Sequence, residues 1–427
     1  MTGTVLRKVR YLDPLSQTDQ VADVWIAAGK IQAIAPNLAL DVDAHDVDVI
    51  HAEGQFLMPG LVDLYSHSGE PGHEARETLA SLMASAIAGG FTRVGILPDT
   101  QPALDTPGTL RHLLDLACEL PQAPQPRLLP WAALTQGANG QHMTELAELA
   151  ALKPLALAGF ADGQPLHQLV LLRRLLEYGR PLGRMIALWP CDRTLTGDGV
   201  ARDGAIALMG GLPGSPTAAE TAPLAALLEL VAEVGTPVHI MRVSTARSVE
   251  LIAQAKARGL PITASTTWMH LLFSTEDALT YDPNLRLDPP LGNPPDQQTL
   301  MDAVRAGIVD AIAIDHSPYT YEEKTVGFSS APPGVIGLEL AFAVLWQRFV
   351  AEGDWSPFEL LRALSTHPAQ CLGQPPAAIA PDSPIEAVLF DPAIPWQITA
   401  SALHSRSRNT PFLNQTVTGR VIRVWNS

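Results

Sequence analysis

Eight short apolar stretches, each followed by polar or helical sequence, constrain this chain more than any other feature. They read LVDLYSH, TRVGILPD, RLLPWAAL, LALAGFAD, RMIALWP, PVHIMRVS, PITASTTWM and AIAIDHSP. Between them lie ETLASLMASAIAGG, QLVLLRRLLEYG, APLAALLELVAEVG, ARSVELIAQAKARG and TLMDAVRAG, which carry helical periodicity. Strands that alternate with helices must run parallel and be covered by those helices. A count of eight favours a closed (β/α)8 barrel over the alternative, an open doubly wound sheet. In a barrel the chemistry sits at the C-terminal ends of the strands, so those ends are the places to question.

The two ends of the chain read differently. Residues 1–58 contain short strand-like runs separated by the turn sequences AAGK and AEGQ, and residues 375–427 contain IEAVLFDPAIPWQITA and TVTGRVIRVW. This pattern predicts a discontinuous β-sandwich domain built from both termini (1–58 and 375–427) around a barrel domain (59–374). A chain of 427 residues with 47% hydrophobic and 17% charged side chains has ample material for a large core and does not read as disordered. Its formal net charge of −16 favours solubility and argues against nucleic acid or anionic membrane as a partner. There is no run of 18 apolar residues, and the opening MTGTVLRKVRYLDP lacks the apolar core of a signal peptide. Cys118, Cys191 and Cys371 form no CxxC pair and read as free thiols of a reducing cytoplasm.

The stretch FLMPGLVDLYSHSGEPG, residues 56–72, ends the first barrel strand. A His-x-His pair there would point two imidazoles from one face of an extended chain, as a metal site requires. Here Tyr65 stands two residues before His67.

With the strand ends aligned, the chain resembles bacterial dihydroorotases of the amidohydrolase superfamily. The resemblance is carried by PGLVDLYSHSGEPGHEARETLASLMASAIAGGFTRVGILPDTQPALDTP, VHIMRVSTARSVELIAQAKARGLPITASTTWMHLLF, NLRLDPPLG, VDAIAIDHSPYTYEEK and SRNTPFLNQTVTGRVIRVW. It spans nearly the whole chain. The Glu-Pro-Gly turn, the Val-Ser-Thr-Ala after the sixth barrel strand and the Asn-Thr-Pro-Phe near the end separate it from hydantoinases and allantoinases. The resemblance implies a (β/α)8 barrel with a small terminal β-sandwich. It also implies reversible closure of carbamoyl aspartate to dihydroorotate, in which one or two zinc ions activate water and an aspartate after strand 8 shuttles the proton.

Position by position, the family's site is altered. The first histidine of Asp-x-His-x-His is Tyr65, while Asp63 and His67 match. After the fourth strand only Asp162 is offered as a bridging carboxylate, and Lys153 precedes the strand. The histidine after the fifth strand is Trp189, which has no lone pair for a metal, with Cys191 a stray thiol two residues on. The histidine after the sixth strand is Arg242, a fixed cation, and His239 reads as a core residue. Asp315, at the proton-shuttle position, matches. The surviving ligand positions are thus His67 and Asp315, with Asp162 as a third candidate. Alternatively, His67 and Asp315 simply pair with each other or with Arg242. Substrate contacts change too: the family's arginine before Glu-Pro-Gly is Gly69, and the asparagine of Met-Pro-Asn-Thr is Asp99. The amide and arginine of Asn-Pro-Pro-Leu-Arg are Asp288 and Gly292, and the histidine after Ala-Pro is Tyr319. Asn284 is retained.

Structural zinc needs four protein ligands and catalytic zinc usually three, so the matching positions predict no metal and no cofactor. The first reading is a non-catalytic dihydroorotase homologue that assembles with aspartate carbamoyltransferase, as some family members do. The second is a working zinc amidohydrolase with an atypical site that uses Asp162 or Cys191. The third is a module that binds another small molecule in the old pocket, with Arg242 as an anion contact. A homodimer is compatible with each.

Overall fold

The computed structural model describes residues 3–38, 47–120, 124–152 and 156–426. Five strands come first: β1 (Gly3–Asp13), β2 (Thr18–Ala27), β3 (Lys30–Ala35), β4 (Val47–His51) and β5 (Phe56–Pro59). The barrel strands follow as β6 (Leu61–Ser66), β7 (Phe91–Ile96), β8 (Arg127–Ala132), β9 (Gly159–Phe160) and β10 (Ile186–Leu188). A small pair, β11 (Ala201–Arg202) and β12 (Gly214–Ser215), interrupts them before β13 (Val238–Ile240), β14 (Ile262–Thr267) and β15 (Ala311–Ala313). The chain ends on β16 (Glu386–Gln397) and β17 (Thr416–Asn426).

β6 to β10 and β13 to β15 form the eight-stranded parallel sheet of a nearly closed barrel. Alternate residues point inward, so Val62, Leu64, Leu129, Trp131, Ala311 and Ala313 share the interior, while Ile312 and Ile314 pack outward under the helices. Large Trp131, Tyr65 and Trp189 sit among small Ala158, Ala161 and Ala187, which lets the layers interdigitate. The helices start where side chains can cap them. Thr78 caps Leu79–Ala88, Thr106 caps Pro107–Cys118 and Thr245 caps Ala246–Ala257.

The first and last barrel strands meet at a seam beyond their own ladder. His67 N–H donates to His316 O (2.8 Å) and Asp315 N–H to Tyr65 O (3.1 Å). Asp63 adds a side-chain stitch: Oδ1 accepts from Ile314 N–H (2.9 Å) and Oδ2 from Ser66 Oγ (2.6 Å). This seam sets His67 beside Asp315, although 248 positions of sequence separate them.

The expected terminal sandwich is one continuous seven-stranded sheet, ordered β17-β16-β5-β1-β2-β3 with β4 also on β1. The early part of β1 pairs with β4 and its later part with β5. The irregularity between Leu6 and Val9, with Lys8 at φ 53°, bends the strand between these two tasks. The bent sheet encloses its own core of Leu6, Val9, Val24, Ile26, Leu57 and Leu389. Among the described residues no helix is long and apolar enough to cross a membrane.

A buried ion pair joins sheet to barrel. Glu386, on β16, accepts from Arg93 Nε (2.8 Å), Arg93 Nη2 (2.8 Å), Thr92 Oγ1 (2.7 Å) and Arg127 Nη2. Burial alone would raise its pKa, but the Arg93 bonds and the two guanidinium charges hold it below the usual carboxylate range. Glu386→Gln leaves Arg93 buried without a counter-charge, so it should destabilise by about 3–5 kcal/mol at pH 7. A carboxylate with a depressed folded-state pKa gives stability above its unfolded pKa and loses it as pH falls through the folded value. The difference between wild type and Glu386→Gln in urea midpoint should therefore be full at pH 7 and shrink below about pH 4. A difference that stays constant down to pH 3 would contradict this assignment.

Candidate functional site

The barrel mouth lies above the seam. Ser66 closes β6 and His67 follows it; Asp315 lies two residues past β15, and Arg242 two residues past β13. Arg242 (φ 55°) and Asp315 (φ 52°) both sit in the left-handed region, which costs a non-glycine residue on the order of 1–3 kcal/mol. Their side chains bind one another across the barrel and hold both backbones there.

The pair is bidentate. Arg242 Nε donates to Asp315 Oδ2 (2.8 Å) and Nη2 to Asp315 Oδ1 (2.7 Å), while Nη1 donates to Gly163 O (3.0 Å). The guanidinium lies 4.6 Å from the centre of the Trp189 ring and 5.7 Å from that of Tyr65. On the other side, His67 Nδ1 meets Asp99 Oδ2 at 2.5 Å and its Nε2 faces Asp315 Oδ1 at 3.5 Å. Burial alone would lower the His67 pKa, but the charges of Asp99 and Asp315 and their hydrogen bonds raise it to about 9. His67 is therefore an imidazolium at neutral pH. Its 3.2 Å approach to Arg242 Nη2 is a contact of two cations that share Asp315, not a donor–acceptor bond. Burial pushes Asp315 and Asp99 up, but the neighbouring cations prevail and hold both below the usual range. Charge alternates along the row Asp99, His67, Asp315, Arg242.

Tyr65 is fully buried beneath this row. Its hydroxyl accepts from Arg242 N–H (3.1 Å) and bonds Ser265 Oγ (2.9 Å), which in turn meets His239 Nε2 (2.8 Å). Burial raises the phenol pKa and lowers that of His239 to about 3, so both are neutral. His239, whose Nδ1 pairs with Thr263 Oγ1, is a satisfied core residue. Burial raises Asp63 to about 7, against the seam hydrogen bonds from Ser66 and Ile314, which lower it.

These residues do not fit zinc. A ligand atom must point its lone pair at the metal from about 2.1 Å. Asp315 and His67 Nε2 instead face a guanidinium that occupies that space and repels a dication. Asp162 lies elsewhere, buried, with its carboxylate accepting from Thr135 N–H (2.9 Å) and Oγ1 (2.6 Å); burial raises it to about 6. Cys191 is also buried, and burial raises its pKa. Among the described residues no group of three or more His, Cys, Asp and Glu side chains is placed to hold a metal. Lys153 lies outside the described residues.

The cavity above the row has a volume of about 180 Å3, and His67, Gly69, Asp99, Trp189, Asp288 and Tyr319 are among the residues that line it. Asp288 is held by Arg193 Nη1 (2.5 Å), and Arg193 stacks on the outer side of Trp189 (4.7 Å). Tyr319 lies under Arg76 (4.9 Å), itself bound to Glu323. Asn284 and Gly292 do not line the cavity. Asn284 Nδ2 turns back to Asp282 Oδ1 (2.9 Å). At Gly69 a Cβ would lie 2.3 Å from Glu77 O and 2.7 Å from His73 O, so the loop leaves no room for a side chain there. At Gly292 a Cβ would come within 2.7 Å of Asp296 Cβ. Sequence reasoning missed Arg193 and Arg76. The signal for Arg193 was present in the string Trp-Pro-Cys-Asp-Arg, where a cation appears just as Asp288 adds an anion.

Residues 54–248 match the family model described as dihydro-orotase-like. A probable dihydroorotase-like protein of Synechocystis sp. (strain PCC 6803) is 43% identical over 98% of this chain and 98% of its own. A dihydroorotase of Anaeromyxobacter dehalogenans (strain 2CP-1) is 37% identical over 96% of this chain and 93% of its own. The L-hydantoinase from Arthrobacter aurescens superposes with a TM-score of 0.86 at 21% identity, covering 100% of this chain and 97% of that one, and so shares the fold. With relatives matching at this identity along almost its full length, the chain belongs to the dihydroorotase-like family of the amidohydrolase superfamily.

Proposed function

We propose that this chain is a non-catalytic dihydroorotase homologue that serves as a structural partner of aspartate carbamoyltransferase. The observation that carries the first half is the Arg242–Asp315 pair. It places a permanent cation where the resemblance puts a metal, and it takes up both oxygens of the carboxylate at the proton-shuttle position. An aspartate whose two oxygens are both held by a guanidinium, and whose pKa is thereby kept well below the usual range, is a poor proton shuttle. The substrate side agrees. Each cation at the mouth already faces a carboxylate: Arg242 meets Asp315, His67 meets Asp99 and Arg193 meets Asp288. A dianion such as carbamoyl aspartate finds no free positive charge there. The second half rests on the family resemblance and on a fold whose core and seam are intact.

The purified chain should hold no stoichiometric zinc by elemental analysis and should turn over neither carbamoyl aspartate nor dihydroorotate. Zinc near one equivalent together with turnover would establish the opposite reading, a working amidohydrolase with an unusual site.

Single repairs should fail because the altered groups act as a unit. Tyr65→His supplies one imidazole but leaves Arg242 and Trp189 in place, and it removes the hydroxyl that serves Arg242 N–H and Ser265. It should therefore give no activity and cost about 1–3 kcal/mol of stability. Gly69→Arg should lower the melting temperature and restore no substrate binding, since its Cβ meets backbone. Turnover in either single variant would show a more complete site than the one described.

Mixing this chain with the aspartate carbamoyltransferase of the same organism, and measuring mass by size exclusion with light scattering, tests the partnership. A transferase that assembles and works fully alone and forms no complex at micromolar concentration rules it out.

A further inference from the structure

Six large apolar side chains stand exposed on the loops that ring the barrel mouth: Leu195, Leu208, Met209, Tyr281, Tyr321 and Val326. Leu208, Met209 and Tyr321 are 82%, 75% and 77% exposed, which no requirement of this chain's own packing explains. They belong to three segments that are tied together. Tyr281 Oη donates to Gly210 O (2.7 Å), next to Met209. Lys324 Nζ, on the short helix Tyr321–Lys324, donates to Pro283 O (3.0 Å), two residues from Tyr281.

The segment bearing Leu208 and Met209 is not a loose loop. Its β11–β12 pair is pinned by buried Arg202, whose Nη2 donates to Ser244 Oγ (2.7 Å), and Asn293 Nδ2 donates to Asp203 O (3.1 Å). The apolar side chains are therefore presented in a fixed arrangement, and little further order would be lost on binding.

Charge selects the occupant. Across residues 193–215, 275–286 and 320–330, the exposed charged side chains are Asp198, Asp203, Glu276 and Glu322, all acidic. The basic residues of these segments are turned inward or paired: Arg193 with Asp288, Arg202 with Ser244, Arg286 with Leu287 O, and Lys324 with two carbonyls. A second copy would bring an acidic rim against an acidic rim in a chain of net charge −16.

We propose that this patch is a docking surface for a partner protein that offers an apolar face rimmed by lysine and arginine. The inference deepens the scaffold reading and rests on it. The probe is the aspartate carbamoyltransferase of the same organism. The variants are Leu208→Glu with Met209→Glu, and a control, Leu169→Glu with Val170→Glu, which alters exposed residues of the outer helix Leu169–Gly179. All four positions are exposed, so both double variants should fold, and their melting curves check this. Wild type and control should bind the transferase equally, with affinity that falls as salt rises. The Leu208/Met209 variant should bind about 30-fold more weakly or worse. Equal binding by all three proteins would overturn the surface while leaving the scaffold reading intact. No complex with wild type would overturn the scaffold reading and this surface with it. Self-association of wild type that the Leu208/Met209 variant abolishes would assign the patch to a second copy, and binding that strengthens with salt would exclude a basic rim.

Discussion

The buried pair of Arg242 with Asp315 organises the mouth of this barrel. A guanidinium in a desolvated site needs a full counter-charge, and a bidentate carboxylate supplies one with fixed geometry. Once the pair is formed, its neighbours have defined tasks. Trp189 and Tyr65 flank the guanidinium with their rings, the Tyr65 hydroxyl takes Arg242 N–H, and Gly163 O takes Nη1. His67 then has a carboxylate on either side and carries its own charge. The outcome is a row of alternating charges, closed on itself, where a metal centre would need lone pairs that converge on one point.

The same logic extends around the cavity. Asp99 and Asp288 each face a partner of opposite sign, His67 and Arg193. Gly69 and Gly292 are packed too closely to accept a side chain. Arg76, Arg193 and Arg242, which line the cavity, are each paired with a carboxylate, while Asp99 Oδ1 and Trp189 Nε1 have no hydrogen-bond partner.

Much of this was legible in the sequence, for identifiable reasons. The barrel strands announce themselves because parallel strands with helices on them are apolar throughout, and the altered strand ends stand out because each falls at a fixed offset from such a run. What stayed hidden depends on three-dimensional pairing. Nothing in the order of residues says that Asp162 turns to Thr135, or that Asn284 turns back to Asp282 and away from the cavity. Arg193 and Arg76 were missed because their partners lie 95 and 247 positions away. The small pair β11–β12 was also invisible, since two-residue strands carry no periodicity.

The motifs that carry the family resemblance separate into two kinds when their hydrogen bonds are followed. Asp63 and Ser66 stitch β6 to the residues after β15. Ser244 and Thr245, of the Val-Ser-Thr stretch, give their hydroxyls to buried Glu220. His316 meets buried Glu77 through Nε2, and its Nδ1 accepts from Gly337 N–H (3.1 Å). Asn409, of the Asn-Thr-Pro-Phe stretch, binds Ser317 O (2.8 Å) and Gly334 O (3.2 Å). Each of these residues satisfies buried polar groups that the fold would otherwise leave unpaired, at a cost of about 1–3 kcal/mol apiece. Of the positions expected to face a ligand, His67, Gly69, Asp99, Trp189, Arg242, Asp288, Asp315 and Tyr319 line the cavity, and Asn284 and Gly292 do not. The resemblance thus rests largely on residues that hold the barrel together, while at the cavity His67 and Asp315 stand in one charge network with Asp99 and Arg242.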